Sequence, residues 1–423
     1  MIEAKQSTIP LESGQDFSKY LKEKIEKSLN KNEPEWLKKH RLEALSAYSV
    51  MPLPDRVRHR WKYLDPALFD LISDLTITNK FNYYTNISKS EADTLGIVFD
   101  EMKNLFSGKA GEIVRSKISS IANPNSSRIT MLNDTLWLSG FFLYVPKGVK
   151  IDKPIITKMV MEESNTYSAV RCLIIMEEDS SVNLTAELAS NNSENIIVNS
   201  LYEIVLGANA KLNLLNLESL NNANKVRQYT YQKTKVNEGA QFINLLVSLG
   251  GDLTKTDLDI DLNKENASAT VYGIVLGNEN QKFDSHTAIN HLAPNTKSLL
   301  NFRVVLKDKA RSAYTGNLKI IKEAIKSDAR QENRNLLLSE QAIAESIPEL
   351  EILTNDVVQC NHGVTVGQID KDQIFYLMSR GLSYSDAEKI IVEGFFEPTM
   401  SRIADNELYN RVSESILSKL VSI

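Results

Sequence analysis

The sequence is sparing with the residues that most often carry chemistry. Its 423 residues include two cysteines, five histidines and three tryptophans. Cys172 and Cys360 are too few for a disulfide framework, so the chain reads as cytoplasmic with reduced thiols. No apolar run approaches the roughly 18 residues of a membrane-spanning helix. The opening MIEAKQSTIPLESGQDFSKY lacks the basic-then-apolar order of a signal peptide. Positive charge is not in excess, at a net −5, so a surface that grips nucleic-acid phosphates is not expected.

Phosphate-binding and nucleophile motifs are missing too. There is no G-x-x-x-x-G-K-[ST]; SGKAGE at residues 107–112 has alanine after its lysine. No G-x-G-x-x-G opens a helix after a strand, and neither G-x-S-x-G nor H-E-x-x-H occurs. The chain is not expected to hydrolyse ATP or to act as a zinc hydrolase, and no catalytic residue is nominated.

What is present is a 42% apolar, 24% charged chain, long enough for two or three domains. Residues 1–130 read as mostly helical. Phe17, Leu21, Ile25 and Leu29 share one helix face. Trp36, Leu37, Leu42, Leu45 and Tyr48 follow Pro34 and stop at Pro52. EADTLGIVFDEMKNLFSG and GEIVRSKISSIANP predict two more helices, ending at Gly108 and Pro124. From 131 to 358, alternating β-branched segments such as SAVRCLIIM and AKLNLLNLE are separated by short polar turns. From 359 to 423 helical periodicity returns. Asp370 and Ser383 stand as N-caps, Gly381 and Gly394 as stops, and Leu408, Val412, Ile416, Leu417 and Leu420 lie on one face.

Five turns in the middle region look alike: EEDSSVNL, LGANAKLNL, NEGAQFINL, KENASATVYG and KDKARSAYTG. Their small residues, Ser181, Ala210, Ala240, Ala267 and Ala310, are spaced 29, 30, 27 and 43 apart. A loose period built from strands and tight turns predicts a solenoid whose stacked coils share one core. An antiparallel β-sandwich is the alternative.

Few side chains in this frame can carry chemistry. Asp257, Asp259 and Asp261 share one strand face, either as a carbohydrate-cleaving array or as a solvated surface. His286 and His291, five apart, face opposite sides of a strand and read as turn or packing residues. RHRWKYLDP at residues 58–66 reads as basic stems covering Trp61. Cys360 and His362, in VVQCNHGVTVGQI, point the same way about 7 Å apart. A thiolate and an imidazole can ligate iron or an iron–sulfur cluster, but two donors do not complete a site. Either a second chain completes it, or Cys360 is a small core residue and His362 a turn cap.

The chain resembles the B/D scaffold family of the Suf iron–sulfur cluster assembly machinery. The resemblance rests on VPKGVKIDKPI, HLAPNTKS, YTGNLKI, RQENRNLLLS and, above all, DVVQCNHGVTVGQIDKDQIFYLMSRGLSYSDAEKIIVEGFFEP. It is tightest over residues 285–398, looser before them and weak over the first 130. It implies a mainly β fold: a right-handed parallel β-helix between helical N- and C-terminal domains. It implies a non-catalytic scaffold subunit that pairs with a B-type paralogue through the solenoid and docks an ABC-type ATPase, the C component. The cofactor it implies is a transient iron–sulfur cluster shared with the partner, with none tightly bound to the isolated chain. C-x-H-G, here Cys360, His362 and Gly363, is the D-type pattern. The B-type cysteine on the RQENRNLLLS strand is replaced by Asn333. His362, and less directly Cys360, inherit the cluster-forming role.

Phe375, Tyr376, Arg380, Phe395 and Phe396 are candidates for the ATPase dock, or for the small domain's own core. Deleting residues 370–423 is expected to abolish ATPase binding and leave the solenoid folded. The alternatives are a B-type-like homodimer working through Cys172, and a carbohydrate-active β-helix enzyme.

Overall fold

In the computed structural model, residues 21–23, 33–57, 59–71, 75–78, 80–122, 127–191, 193–221, 225–403 and 405–421 are described. Three short strands come first: β1 (Thr76–Ile77), β2 (Phe81–Thr85) and β3 (Val98–Glu101). The solenoid strands follow: β4 (Phe141–Val145), β5 (Ile155–Met161), β6 (Thr166–Met176), β7 (Ser181–Ser190), β8 (Ile196–Leu206), β9 (Lys211–Ser219), β10 (Val226–Val236), β11 (Gln241–Ser248), β12 (Leu253–Leu262), β13 (Ser268–Gly277), β14 (Lys282–His291), β15 (Lys297–Leu306), β16 (Arg311–Ile320), β17 (Ser327–Leu337), β18 (Ile343–Ile352) and β19 (Val357–Gln368). The helices are α1 (Glu35–Val50), α2 (Lys89–Thr94), α3 (Gly108–Lys117), α4 (Arg128–Leu136), α5 (Lys371–Ser379), α6 (Tyr384–Met400) and α7 (Asn406–Val421).

Even-numbered strands from β4 to β18 form one sheet and odd-numbered strands from β5 to β19 the other, each strand parallel to its neighbours. The chain therefore alternates between two sheets, coil after coil, as a parallel β-helix of about seven turns. The sandwich alternative is overturned, because its ladders would be antiparallel. Among the described residues only β2 and β3, which cover the first coil, pair antiparallel, with β5 and β4.

Ala210, Ala240, Ala267 and Ala310 are wholly buried at the corners, where a larger side chain would hold successive coils apart. Two details differ from the expected repeat. The buried serine of the first turn is Ser180, not Ser181. Ala310 also belongs to the opposite corner: it precedes β16 as Gln281 precedes β14, whereas the counterpart of Ala267 is Thr296 before β15. The spacing of 43 is thus one and a half coils. Corner residues such as Asn165, Asp179, Asn195, Asn209, Asn266 and Asn295 have φ between 52 and 58° or up to 60°, the left-handed region that asparagine and aspartate tolerate. Their side chains also link coils, as in Asn209 Nδ2 to Asp179 Oδ1 at 3.1 Å and Asn195 Nδ2 to Asn165 Oδ1 at 2.9 Å.

The outer faces explain the strand patterns. β6 is buried along its whole length because its outward Leu173 and Ile175 meet the N-terminal helices while Cys172 and Ile174 face the interior. β9 and β11 alternate at first and are then buried, β9 as far as Glu218 and β11 to its end, because the C-terminal helices cover only their second halves. Buried ion pairs fix the N-terminal layer: Arg171 reaches Asp134 at 3.2 Å and Glu203 at 2.5 Å. Arg41 reaches Glu33 at 3.1 Å and the carbonyls of Thr135 and Trp137 at 3.1 and 2.6 Å.

Several predicted elements shift. In EADTLGIVFDEMKNLFSG the α-helix covers only Glu91–Thr94, the end of α2, and Met102–Asn104 make a single 3-10 turn; Val98–Glu101 is a strand because β4 offers it an edge. α3 ends at Lys117, and α4 crosses the expected boundary at 130. Within α1, Leu42 is 42% exposed and Arg41 takes the buried position beside Leu37, Leu45 and Tyr48. The helix predicted over residues 17–30 lies outside the described residues except for 21–23, which are helical. β19 carries the solenoid across 358 to Gln368. α6 runs through Gly394 to Met400, with Ile390 exposed and Val392 and Phe396 turned inward. Asp370 accepts from the amides of Asp372 and Gln373, Ser383 caps α6, and Gly381 takes φ +96° between the two helices. Among the described residues no helix is long and apolar enough to cross a membrane.

Candidate functional site

Among the described residues nothing covers the last coil: β18 pairs only with β16 and β19 only with β17, so each leaves one edge free. Ile352, Leu353, Val358, Val364 and Val366 are exposed there. In register, Cys360 stands beside Ala329 and His362 beside Gln331. Ala329 is wholly buried in the interior core, and alternate residues share a side, so Cys360 and His362 face the inside of the final rung. Cys360 is half-buried against that core and His362 is exposed. Partial burial pushes the Cys360 thiol above its ordinary range, because removing water disfavours the thiolate.

The two donors fit one half of a metal-binding set. Among the described residues no group of three or more His, Cys, Asp and Glu side chains gathers to hold a metal ion. What the chain offers is a thiol and an imidazole side by side at an open edge. Asn333, one strand inward, is wholly buried; it accepts from Asn335 at 2.7 Å and from Ser346, so this position holds a satisfied amide.

Two family models match. One, described as the SUF system FeS cluster assembly SufBD core domain, covers residues 159–395; the other, the SufBD protein N-terminal region, covers 68–156. The chain belongs to the SufBD family. It is a SufB/SufD-type protein of Suf iron–sulfur cluster assembly. Similar relatives include the iron–sulfur cluster assembly protein SufB of Bacillus subtilis, 26% identical over 87% of this chain and 86% of that one. A SufBD family protein of Staphylococcus saprophyticus is 26% identical and one of Staphylococcus epidermidis 27%, with the same coverage of both chains.

The other candidate residues of this SufBD chain fall into place by burial. Cys172 is wholly enclosed in the solenoid core, and burial pushes its thiol up to about 12. In this position it presents no surface to a partner. His291 faces inward, its ring nitrogens 2.8 Å from Thr296 Oγ1 and 2.8 Å from Ser298 Oγ, and burial lowers it to about 4. His286 points outward on the same strand, beside Asp257 of β12. The aspartates of β12 are engaged. Asp257 is buried against Lys255 at 2.6 Å and Tyr229 Oη at 3.1 Å, while Lys233 bridges Asp259 and Asp261 at 3.0 and 2.8 Å. Burial alone would raise Asp257, but Lys255 and Arg60 hold it below the usual range. A solvated acid–base pair is therefore not what this strand presents. Trp61 is buried against Phe69 of its own layer and Tyr229 and Lys255 of the solenoid, so it is an anchor of the N-terminal layer; Arg58 lies outside the described residues.

On the C-terminal helices, Phe375 is 72% and Tyr376 58% exposed, with Arg380 stacked on the Tyr376 ring at 5.2 Å. Phe396 is buried in the domain's core, and Phe395 is half-buried beneath Arg303, which donates to its carbonyl at 2.8 Å. Beside Phe375 lies an apolar groove of about 430 Å³, bordered by Leu337, Ile369, Ile374, Met378 and Tyr384. The helix face through Ile374 and Met378 is legible in the sequence, whereas Leu337 and Ile369 become a wall only through the return of α5 beside β17.

Proposed function

We propose that this protein is a D-type, non-catalytic scaffold subunit of a cytoplasmic Suf assembly complex. It supplies half of a site at which a nascent iron–sulfur cluster, the cargo of the reaction, is built and released. The observation that carries this is the placement of Cys360 and His362 on the interior side of an uncovered last rung. A B-type paralogue laid against the free edges of β18 and β19 supplies the remaining ligands and the missing strand pairing. Bound iron needs Cys360 as thiolate and His362 as neutral imidazole, so cluster assembly weakens as pH falls. A thiolate-poor ligand set suits a cluster that must leave. The ATPase subunit docks on α5 and its groove through Phe375, Tyr376 and Arg380.

The test is reconstitution of the purified complex with iron and sulfide, followed by visible absorption. His362→Ala should abolish the cluster bands while circular dichroism stays unchanged, and Cys360→Ser should weaken them. Full cluster formation in His362→Ala refutes the reading. Co-purification of the tagged chain with a B-type paralogue and an ABC-type ATPase tests the partners.

A further inference from the structure

We propose that Gln331 is a positioning residue for His362: turned toward the last strand, its carboxamide oxygen, which has no partner inside the coil among the described residues, accepts one ring N–H of the imidazole and leaves the other ring nitrogen free for iron. This rests on the reading above, in which His362 helps to hold the nascent cluster. In the β17–β19 register Gln331 stands directly beside His362, one coil inward and on the same side. Neighbouring strands lie about 4.8 Å apart, so two side-by-side long side chains are within reach of each other.

Gln331 is 3% exposed, yet among the described residues neither its carboxamide oxygen nor its nitrogen has a hydrogen-bond partner. Its neighbours on the same file behave otherwise: Asn335 donates to Asn333 at 2.7 Å and to the Thr365 carbonyl at 3.0 Å. A buried amide left open on both atoms is rare. Space is also kept for it. A Cβ on Gly316 would fall 2.2 Å from the Gln331 nitrogen, so β16 carries glycine where the carboxamide lies. The fold makes room for this polar group and gives it nothing to bond within the coil. A neutral imidazole that ligates through one nitrogen carries its proton on the other, and that N–H needs an acceptor to fix tautomer and ring orientation. A carboxamide does this without adding charge.

The experiment uses the full-length chain labelled with ¹⁵N-histidine, with His362 assigned by loss of its signals in His362→Ala. Two-bond ¹⁵N–¹H correlation reads the tautomer at a pH where the ring is neutral. The wild type should show one tautomer and Gln331→Met, matched in length, a mixture of both. Because the lost amide is unpartnered, Gln331→Met should unfold at the same temperature or higher; a residue that only supported the fold would lower it. In the reconstituted complex, iron retention by Gln331→Met should fall by about tenfold or more. A wild-type His362 already divided between tautomers overturns the proposal without any variant, as does a ratio that Gln331→Met leaves unchanged. If the tautomer follows Gln331 but His362→Ala still assembles a full cluster, the positioning contact stands and the cluster reading fails.

Discussion

Glu218 lies inside the solenoid, where Thr230 Oγ1 is 3.2 Å away. Burial raises its carboxyl to about 7, against smaller lowering by bonds from Thr230, Ser248 and Gln228. Its folded pKa therefore stands above the unfolded 4.5, and the native state holds the proton over that window. The contribution of this group to stability is lost as pH rises from about 4.5 to about 7. Glu218→Gln, which has no proton to lose, should gain on the wild type between pH 5 and pH 8 by up to about 3 kcal/mol. Urea unfolding at the two pH values measures it. The thiols give a second expectation at this scale. At mildly alkaline pH a small alkylating reagent should modify Cys360 alone, and Cys172 only after unfolding, as counted by mass spectrometry. The pairing of Cys360 with His362 was legible because a strand's period of two is fixed. The burial of Cys172 follows from the apolar run VRCLIIM around it. Gln331 was not, since nothing in RQENRNLLLS says which alternate residues face the interior until the coils are stacked.

Elements were legible where one periodicity ruled and illegible where a neighbour decided. The solenoid strands and α7 follow their own patterns. The helix expected through IVFDE gives way to β3 because an open strand edge outweighs weak helical propensity. α6 runs past Gly394 because Val392, Phe396 and Met400 gain a buried face against β13 and β15, which outweighs the roughly 1 kcal/mol that a helical glycine costs. The exposed side of α5 has no such partner among the described residues. Replacing Phe375 and Tyr376 together by alanine should weaken ATPase binding about tenfold or more and leave the unfolding temperature nearly unchanged. Isothermal titration and thermal unfolding of the same variant measure both.

Across the whole molecule the helical layers are not appendages. α6 and α7 cover Leu215, Leu217, Leu245, Val247, Ile274, Leu276 and Val305 on the outer face of the odd-numbered sheet. Lys307 reaches Glu388 at 2.7 Å and Lys419 reaches Gln281 at 2.6 Å across the same junction. Removing residues 371–421 would uncover a continuous apolar surface, the kind that drives association. The truncated chain should therefore aggregate, as read by size-exclusion chromatography, rather than persist as the free solenoid that its repeats alone suggest. Point substitutions on α5 are the way to separate docking from folding.

The stacked coils also make the protein a ruler. Each turn advances the chain by one inter-strand spacing, about 4.8 Å, so the offset between the terminal rung and the footprint of α6 on β13 and β15 changes only in whole steps. Gain or loss of a single coil would shift Cys360 and His362 by one such step relative to the helices packed on β13 and β15. The number of turns is thus itself a specification, as much as any side chain on the rung.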